Sequence, residues 1–330
     1  MTATRQLGLT LPQRGAFFGV TTIPELVETG HIADESGAYD SLWIGDSLLA
    51  KPRPESIALL GSLAAVTRRV RLAVGCMASL PVRDPILLAG QWATLDQLTG
   101  GRMLLAVCTG IVKAQDASER EGALYGVTDR SRTGRLEENM EILRRLWAED
   151  TVTFRGQYRS FEEVCVLPKP VQSPPPIHIA SNPHPASRAE RALRRVARLA
   201  DGWMTTRKAP EYLTVNWPRV RQYLAEEGRD PAAFPVVAYH NANINPDREA
   251  AYDESFRFLR QYYGPVYSEE DTRHWTAAGT VEQVIDDINR LFADGATEVT
   301  LRITSWDWRR QLRLLTEEIS PAVRFAGANR

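Results

Sequence analysis

The sequence has few cysteines, no long apolar run and almost no net charge. Its three cysteines are too few and too far apart for a disulfide framework or a zinc knuckle, which fits a reducing compartment. No window approaches the roughly 18 uninterrupted apolar residues of a membrane helix. The first residues lack the basic segment and apolar stretch of a secretory signal. We therefore expect a soluble, cytoplasmic protein without a membrane partner.

Charge and motifs exclude further classes of function. The 40 basic and 41 acidic residues give a net charge of −1, so there is no field to attract nucleic acid. The five histidines stand far apart with no pair at helical spacing, and we predict no metal site. The sequence also lacks the signatures of serine hydrolases, P-loop enzymes and Rossmann dinucleotide enzymes. These exclusions leave a small-molecule substrate as the expected partner.

Short apolar runs alternate with longer helical patterns along most of the 330 residues, which is typical of repeated βα units in an α/β fold. The pattern predicts eight strands, at 7–11, 40–46, 70–75, 103–107, 177–180, 202–206, 235–244 and 297–303. Eight strands, nearly all followed by a helix, favour a closed (β/α)8 TIM barrel over an open sheet. The sequence therefore predicts a single barrel domain over 1–330, although its length alone would also accommodate two domains.

Helix boundaries and spacing refine this barrel. The aspartate–proline pair at 84–85 predicts a helix start and Gly100 its end, while Pro54 predicts the first turn of an earlier helix. The gaps after the fourth and seventh strands are unusually long, which predicts insertions there. These include a strand at 151–154 and a helix at 248–262. Such insertions would form lids over the active face.

Polar residues at the carboxyl ends of the strands are the candidates for catalysis, because barrel enzymes place their chemistry there. Asp46 ends the second strand, where its carboxylate could accept a hydrogen bond from cofactor or substrate, or could cap the next helix. His240 lies in an unusually polar strand end, as a substrate-side donor or as a structural histidine. Strand alternation places His240 and Asn241 on opposite faces, so we expect one of them to reach the pocket.

Several short motifs occur in the order seen in a known enzyme family. They are WIGDS at 43–47, VRDP at 82–85, QWATLDQLTGGR at 91–102, FRGQY at 154–158, LPKPVQ at 167–172, ADGW at 200–203 and GTVEQV at 279–284. Each is weak alone. As an ordered set from about residue 7 to 303, they resemble the luciferase-like flavin-dependent oxidoreductases.

This resemblance implies a flavin or deazaflavin held at the C-terminal mouth of the barrel. Its phosphate would bind near the fifth and sixth strand ends, which carry Ser181, Asn182, Gly202, Trp203 and Thr205. Hydroxyls and backbone amides beside a helix N-terminus suit an anion. The competing interpretation is that Ser181 and Asn182 only cap the following helix.

The resemblance also implies a backbone bulge after the third strand, often with a non-proline cis peptide, that supports one face of the cofactor ring. Met77 and Ala78 occupy that place, and Thr109 lies at the fourth strand end. Alternatively, this is an ordinary loop in which Met77 fills the core. Cys108 departs from the G-x-G that the family often carries, and we interpret it as a small buried cysteine without a catalytic role.

Three functions are compatible with this resemblance. The first is a monooxygenase that uses O2 and reduced FMN, supplied by a partner flavin reductase, on a small organic substrate. The second is a deazaflavin-dependent hydride-transfer enzyme. Deazaflavin-dependent relatives often carry histidine where this chain has Ser47, although others resemble its Ser-Leu-Leu run. The third is an inactive flavin-binding barrel. We also expect a homo-oligomer.

Overall fold

A computed structural model describes residues 5–110, 116–183, 189–206, 209 and 211–324. The strands are β1 (Gln6–Thr10), β2 (Ser41–Asp46), β3 (Arg71–Met77), β4 (Met103–Val107), β5 (Val152–Arg155), β6 (Ser160–Val164), β7 (Ile177–Ala180), β8 (Gly202–Thr206), β9 (Val236–Ile244), β10 (Thr276–Gly279) and β11 (Glu298–Ile303). The helices are α1 (Ile23–Ser36), α2 (Ser56–Val66), α3 (Pro85–Thr99), α4 (Ala117–Leu124), α5 (Asp129–Ala148), α6 (Ala189–Leu199), α7 (Glu211–Thr214), α8 (Asn216–Glu226), α9 (Arg248–Tyr263), α10 (Glu269–His274), α11 (Val281–Ala293), α12 (Trp308–Leu314) and α13 (Ser320–Arg324). A 3₁₀ turn covers Gln13–Phe17 and a π-helical turn covers Leu315–Ile319.

The main sheet follows the order β10-β9-β11-β1-β2-β3-β4-β7-β8, and β8 also pairs with β9. The eight strands β1–β4, β7–β9 and β11 thus form a closed parallel (β/α)8 barrel, which confirms the predicted fold class. The fourth, fifth and sixth barrel strands have the predicted limits. β10 is an additional strand that pairs with the second half of β9.

Both predicted insertions are present. The chain between β4 and β7 includes α4, α5 and the antiparallel hairpin β5–β6, in which Phe154 stacks on Phe161 with ring centroids 5.8 Å apart. The chain between β9 and β11 includes α9, α10 and β10, ahead of α11. These extra elements account for the long spacings in the sequence.

By its internal contacts the chain divides into two compact units. One comprises residues 1–43 and 181–330, and the other residues 44–180. The single domain over 1–330 stays a prediction.

In the unit of residues 1–43 and 181–330, the strands carry an apolar face and a polar face. Trp203 of β8 is in register with Val236 of β9, and its ring stacks on Trp217 of α8 at 6.4 Å. Helices therefore cover the face that carries these residues. On the other face, Thr10 and Thr300 share a hydrogen bond of 2.9 Å, one example of the polar side chains that collect there.

In the unit of residues 44–180, the helix limits agree with the sequence in one case and differ in another. The Asp84 carboxylate caps α3 by accepting hydrogen bonds from two backbone N–H groups, both at 3.0 Å, and Gly100 ends the helix with a φ of 66°. The start predicted for α2 is wrong by two residues. Glu55 is its N-cap and accepts from the N–H of Ala58 at 2.8 Å, so that Pro54 lies ahead of the helix.

Candidate active site

Asn182 fixes the end of β8 in the unit of residues 1–43 and 181–330. Its Oδ1 accepts hydrogen bonds from Thr205 Oγ1 at 2.7 Å and from the N–H of Thr206 at 2.9 Å. The backbone of Ser181 is also bound to β8, because its N–H donates to the carbonyl of Met204 at 3.0 Å. Three of the predicted phosphate-site residues, Ser181, Asn182 and Thr205, are therefore brought together.

The other two predicted phosphate-site residues are backbone and packing residues. Gly202 begins β8 and is buried. Trp203 is fully buried against α8, and its Nε1 donates to the carbonyl of Ser181 at 3.0 Å. Their contacts are those of a rigid support for the strand end. The cofactor-binding roles of all five residues stay predictions.

Thr206 is one of the polar residues at the strand ends, but the predicted phosphate site does not include it. It is in register with Tyr239, on the strand face opposite Trp203 and Thr205. Thr206 is the only residue of β8 that is not buried, yet its hydroxyl oxygen is inaccessible and has no hydrogen-bond partner within the described part of the chain. Strand alternation from the apolar Trp203 is the signal that would have indicated it. This hydroxyl can bind a ligand oxygen once the atoms that cover it move aside.

β9 separates His240 from Asn241, as alternation requires. Asn241 lies on the polar face, where its Oδ1 accepts from Arg302 Nε at 3.0 Å and its Nδ2 donates to the carbonyl of Trp275 at 2.8 Å. His240 is buried on the helix-covered face with Val236. This placement favours the structural alternative for His240. The catalytic roles of His240 and Asn241 stay predictions.

Arg302 is a fully buried cation on the same polar face as Asn241. Its guanidinium lies about 5 Å from the ring centroids of four aromatic residues, which are Tyr239, Tyr262, Tyr263 and Trp275. Its N–H groups donate to two neutral acceptors, the amide oxygen of Asn241 and the hydroxyl of Tyr263. Burial acts to lower the pKa of Arg302, but the neighbouring tyrosine hydroxyls outweigh this and raise it, so the charge is retained.

Tyr239 lies on the polar face of β9, in register with Thr300. It is the only residue of that strand that is not buried. Its hydroxyl is hydrogen-bonded to Tyr263, whose hydroxyl accepts from Arg302 Nη1 at 2.5 Å. Burial raises the pKa of Tyr239 well above its ordinary value, although the charge of Arg302 acts in the opposite direction. Tyr239 is thus a neutral hydroxyl at the end of a hydrogen-bonded chain.

In the unit of residues 44–180, Asp46 is buried and both carboxylate oxygens accept hydrogen bonds from protein groups. Oδ1 accepts from Ser56 Oγ at 2.7 Å and from Arg83 Nη2 at 2.8 Å. Oδ2 accepts from the N–H of Ser79 at 2.9 Å and from its hydroxyl. Asp46 does not cap α2, since Glu55 does. Its contacts anchor the loop after β3, and its catalytic role stays a prediction.

The predicted bulge after the third strand is present. The pairing of β3 with β4 shifts register between Gly75 and Met77, and the peptide bond that precedes Cys76 is cis. Met77 is fully buried, as a core residue would be, whereas Ala78 is partly exposed. A Cβ at Gly110 would lie 2.2 Å from the carbonyl oxygen of Ala78, so only glycine allows the loops after β3 and β4 to approach this closely.

A buried ion pair supports the backbone at Thr109. Its carbonyl accepts from Arg132 Nη1 at 3.5 Å, and Arg132 lies 3.5 Å from Glu121. Glu121 in turn accepts from the N–H groups of Leu49 and Ala50. The structure therefore links the loop after β2 to the loop after β4. The roles of Met77, Ala78 and Thr109 toward a cofactor stay predictions.

Within the ranges given above, no group of three or more potential ligand side chains is arranged to hold a metal ion. No helix in the same ranges combines the length and the apolar character needed to cross a bilayer.

Comparison with known proteins gives one family and several relatives. The family model described as luciferase-like monooxygenase matches residues 2–306. F420-dependent glucose-6-phosphate dehydrogenase of Nakamurella multipartita is 26% identical over 326 residues, covering 91% of this chain and 92% of that protein. An F420-dependent secondary alcohol dehydrogenase, solved with an F420-acetone adduct, superposes with a TM-score of 0.81 at 19% identity, over 97% of this chain and 99% of that chain. A monooxygenase from Streptomyces bottropensis gives 0.78 at 23% identity, over 96% of this chain and 99% of that chain.

Proposed function

The chain belongs to the luciferase-like monooxygenase family and is an oxidoreductase, and from this premise we propose that it transfers a hydride between the deazaflavin F420 and a small organic substrate. The observation that carries the choice of cofactor is the similarity, over 91% of the chain, to a relative named for its dependence on F420. A deazaflavin supplies two-electron hydride chemistry when it is bound. The protein then has to bind and orient the deazaflavin and to donate or accept one proton on the substrate.

The end of β8 supports a role in binding the cofactor phosphate. The Thr206 hydroxyl has no partner among the described residues, and Asn182 holds the neighbouring backbone in place. A buried hydroxyl without a partner costs free energy that a ligand oxygen can recover. Ser181, whose N–H donates to the carbonyl of Met204, adds a partly exposed side chain. These residues fit an anionic group.

Tyr239 is our candidate for the substrate-side proton donor, in place of His240. It is the only partly exposed residue of β9, and its hydroxyl is bound to Tyr263. Arg302 lies 5.2 Å from its ring and would stabilise the phenolate left after proton donation. The hydroxyl can protonate the oxygen of a ketone or aldehyde, and in the reverse direction its phenolate can accept the proton of an alcohol.

A second candidate function is an FMN-dependent monooxygenase. It is favoured by Ser47, which stands where deazaflavin-dependent relatives often carry histidine. The Ser47 hydroxyl accepts a hydrogen bond from the N–H of Lys51 at 2.9 Å and so stabilises its own loop. In this function the protein would act with O2 and a partner flavin reductase.

Titration of the purified protein with F420 and with FMN, followed by fluorescence, distinguishes the two cofactors. We expect F420 to bind at least about tenfold more tightly, a difference of about 1.4 kcal/mol. Thr206→Val should weaken F420 binding by about 1 kcal/mol, the scale of one hydrogen bond. Thr94→Val, on the exposed surface of α3, is the matched control and should change nothing.

A turnover assay on the same proteins tests the rest of the proposal. Reduced F420 is mixed with a panel of small aldehydes and ketones, and its oxidation is followed by absorbance under anaerobic conditions. Tyr239→Phe should retain F420 affinity and lower turnover about 100-fold. Tighter binding of FMN together with O2-dependent turnover would reject the proposal in favour of the monooxygenase.

A further inference from the structure

Two of the three cysteines are neighbours at the ends of β3 and β4. Cys76 is the residue in the bulge of β3, and Cys108 directly follows β4, where its N–H donates to the carbonyl of Met77 at 3.4 Å. Their side chains lie within hydrogen-bonding contact of each other. Both are free thiols and both are partly exposed.

The surroundings of this pair are cationic on two sides. The guanidinium of Arg53 lies next to Gly45, where a Cβ would be 2.5 Å from the Arg53 Nη1. The charge of Arg53 acts to lower the pKa of Cys76. The charge of Arg132 acts to lower the pKa of Cys108, whose sulfur also accepts a hydrogen bond from the N–H of Gly110. The Asp46 carboxylate opposes these charges, but its oxygens are bound to Arg83 and to serine donors.

The two thiols are inequivalent because of this arrangement. The hydrogen-bonding contact with Cys76 and the hydrogen bond from the N–H of Gly110 lower the pKa of Cys108, against the effect of burial. The same contact between the thiols, together with burial, raises the pKa of Cys76. A more acidic thiol beside a less acidic one is the arrangement in which one sulfur attacks and the other resolves.

We propose that Cys76 and Cys108 form a redox-active dithiol, a modification site at which a small disulfide oxidises the pair to an intrachain disulfide. The Cys108 N–H is bound to the carbonyl of Met77, the residue that follows Cys76, and the two thiols are in contact, which is the proximity that a disulfide requires. Both cysteine residues are partly exposed, which gives the oxidant access to the pair. This proposal does not depend on the cofactor or on the substrate.

The exchange proceeds in two balanced steps. The Cys108 thiolate attacks one sulfur of the small disulfide, so that a mixed disulfide forms and one small thiolate leaves. That thiolate takes the proton of Cys76, whose sulfur attacks the sulfur of Cys108. The Cys76–Cys108 bond forms, the mixed disulfide breaks and a second small thiolate leaves and is protonated. The protein loses two electrons and two protons, which are recovered in two small thiols.

The test uses the full chain carrying Cys165→Ser, which removes the exposed third thiol. The protein is incubated with glutathione disulfide, and free thiols and intact mass are measured before and after dithiothreitol. We expect both thiols to disappear together, the mass to fall by two hydrogen atoms and dithiothreitol to reverse the change. A stable glutathione adduct, a disulfide-linked dimer or unreacted thiols after prolonged incubation would each overturn the proposal.

Single variants in the same background assign the two roles. Cys76→Ser should stop at the mixed disulfide, because Cys108 can attack but nothing resolves it. Cys108→Ser should react at least about tenfold more slowly than Cys76→Ser, because the remaining thiol is the less acidic one. Equal rates for the two variants would contradict the assignment of Cys108 as the attacking sulfur. Circular dichroism establishes that both variants are folded.

Discussion

Asp46 and Arg302 are both buried charges, and the protein stabilises them in different ways. The carboxylate of Asp46 pairs with Arg83 and accepts from two serines. The guanidinium of Arg302 has aromatic rings and neutral hydrogen-bond acceptors around it. A buried charge whose partners are removed costs several kcal/mol. Both residues should therefore be sensitive to substitution, in proportion to the contacts that each one loses.

Asp46→Asn is expected to destabilise the protein by about 2–4 kcal/mol. The amide removes the charge that faces Arg83 and places an N–H group among donors that need an acceptor. The measurement is the free energy of unfolding in urea. Glu55→Gln is the matched control, because this second carboxylate also pairs with Arg83 but is 43% exposed, and it should cost less than about 1 kcal/mol. An equal loss of unfolding free energy in the two variants would contradict the larger contribution that we assign to Asp46.

The helices and strands were predictable where local chemistry determines them. Asp84 and Gly100 define the two ends of α3 through a side-chain cap and a left-handed residue. These interactions involve residues close in sequence, so the pattern contains them. The start of α2 was misjudged because Pro54 and Glu55 both suit a helix start, and only the hydrogen bond from Ala58 distinguishes them.

At the element scale we expect Asp84→Ala to cost about 1 kcal/mol of stability through loss of the α3 cap. Its carboxylate oxygen accepts from the N–H groups of Ile86 and Leu87, and no other side chain replaces it there. Asp84→Ser should restore most of the loss, because serine also caps helices well. A fully destabilised Asp84→Ser variant would show instead that the 3.4 Å ion pair with Arg159 is what matters.

The whole molecule is a closed barrel whose contacts divide into two compact units. If the predicted single domain is right, thermal unfolding should follow one cooperative transition. The test compares the midpoint from far-ultraviolet circular dichroism with the midpoint from tryptophan fluorescence of a variant that keeps only Trp92 and Trp147, which report on residues 44–180. Two separate midpoints would contradict the single domain. In this variant the six other tryptophans are replaced by phenylalanine. The control is the reverse variant, which keeps those six and reports on residues 1–43 and 181–330.

The sequence by itself determined the positions of the eight barrel strands, the sites of the insertions, the two ends of α3 and the family. Each of these follows from local periodicity, capping or ordered motifs. The tertiary structure decided which polar residues meet, because those pairs are remote in sequence. Asp46 binds Ser79 33 residues away, and Arg302 binds Asn241 61 residues away. Strand register and the bulge in β3 bring such residues together, and no local pattern encodes either one.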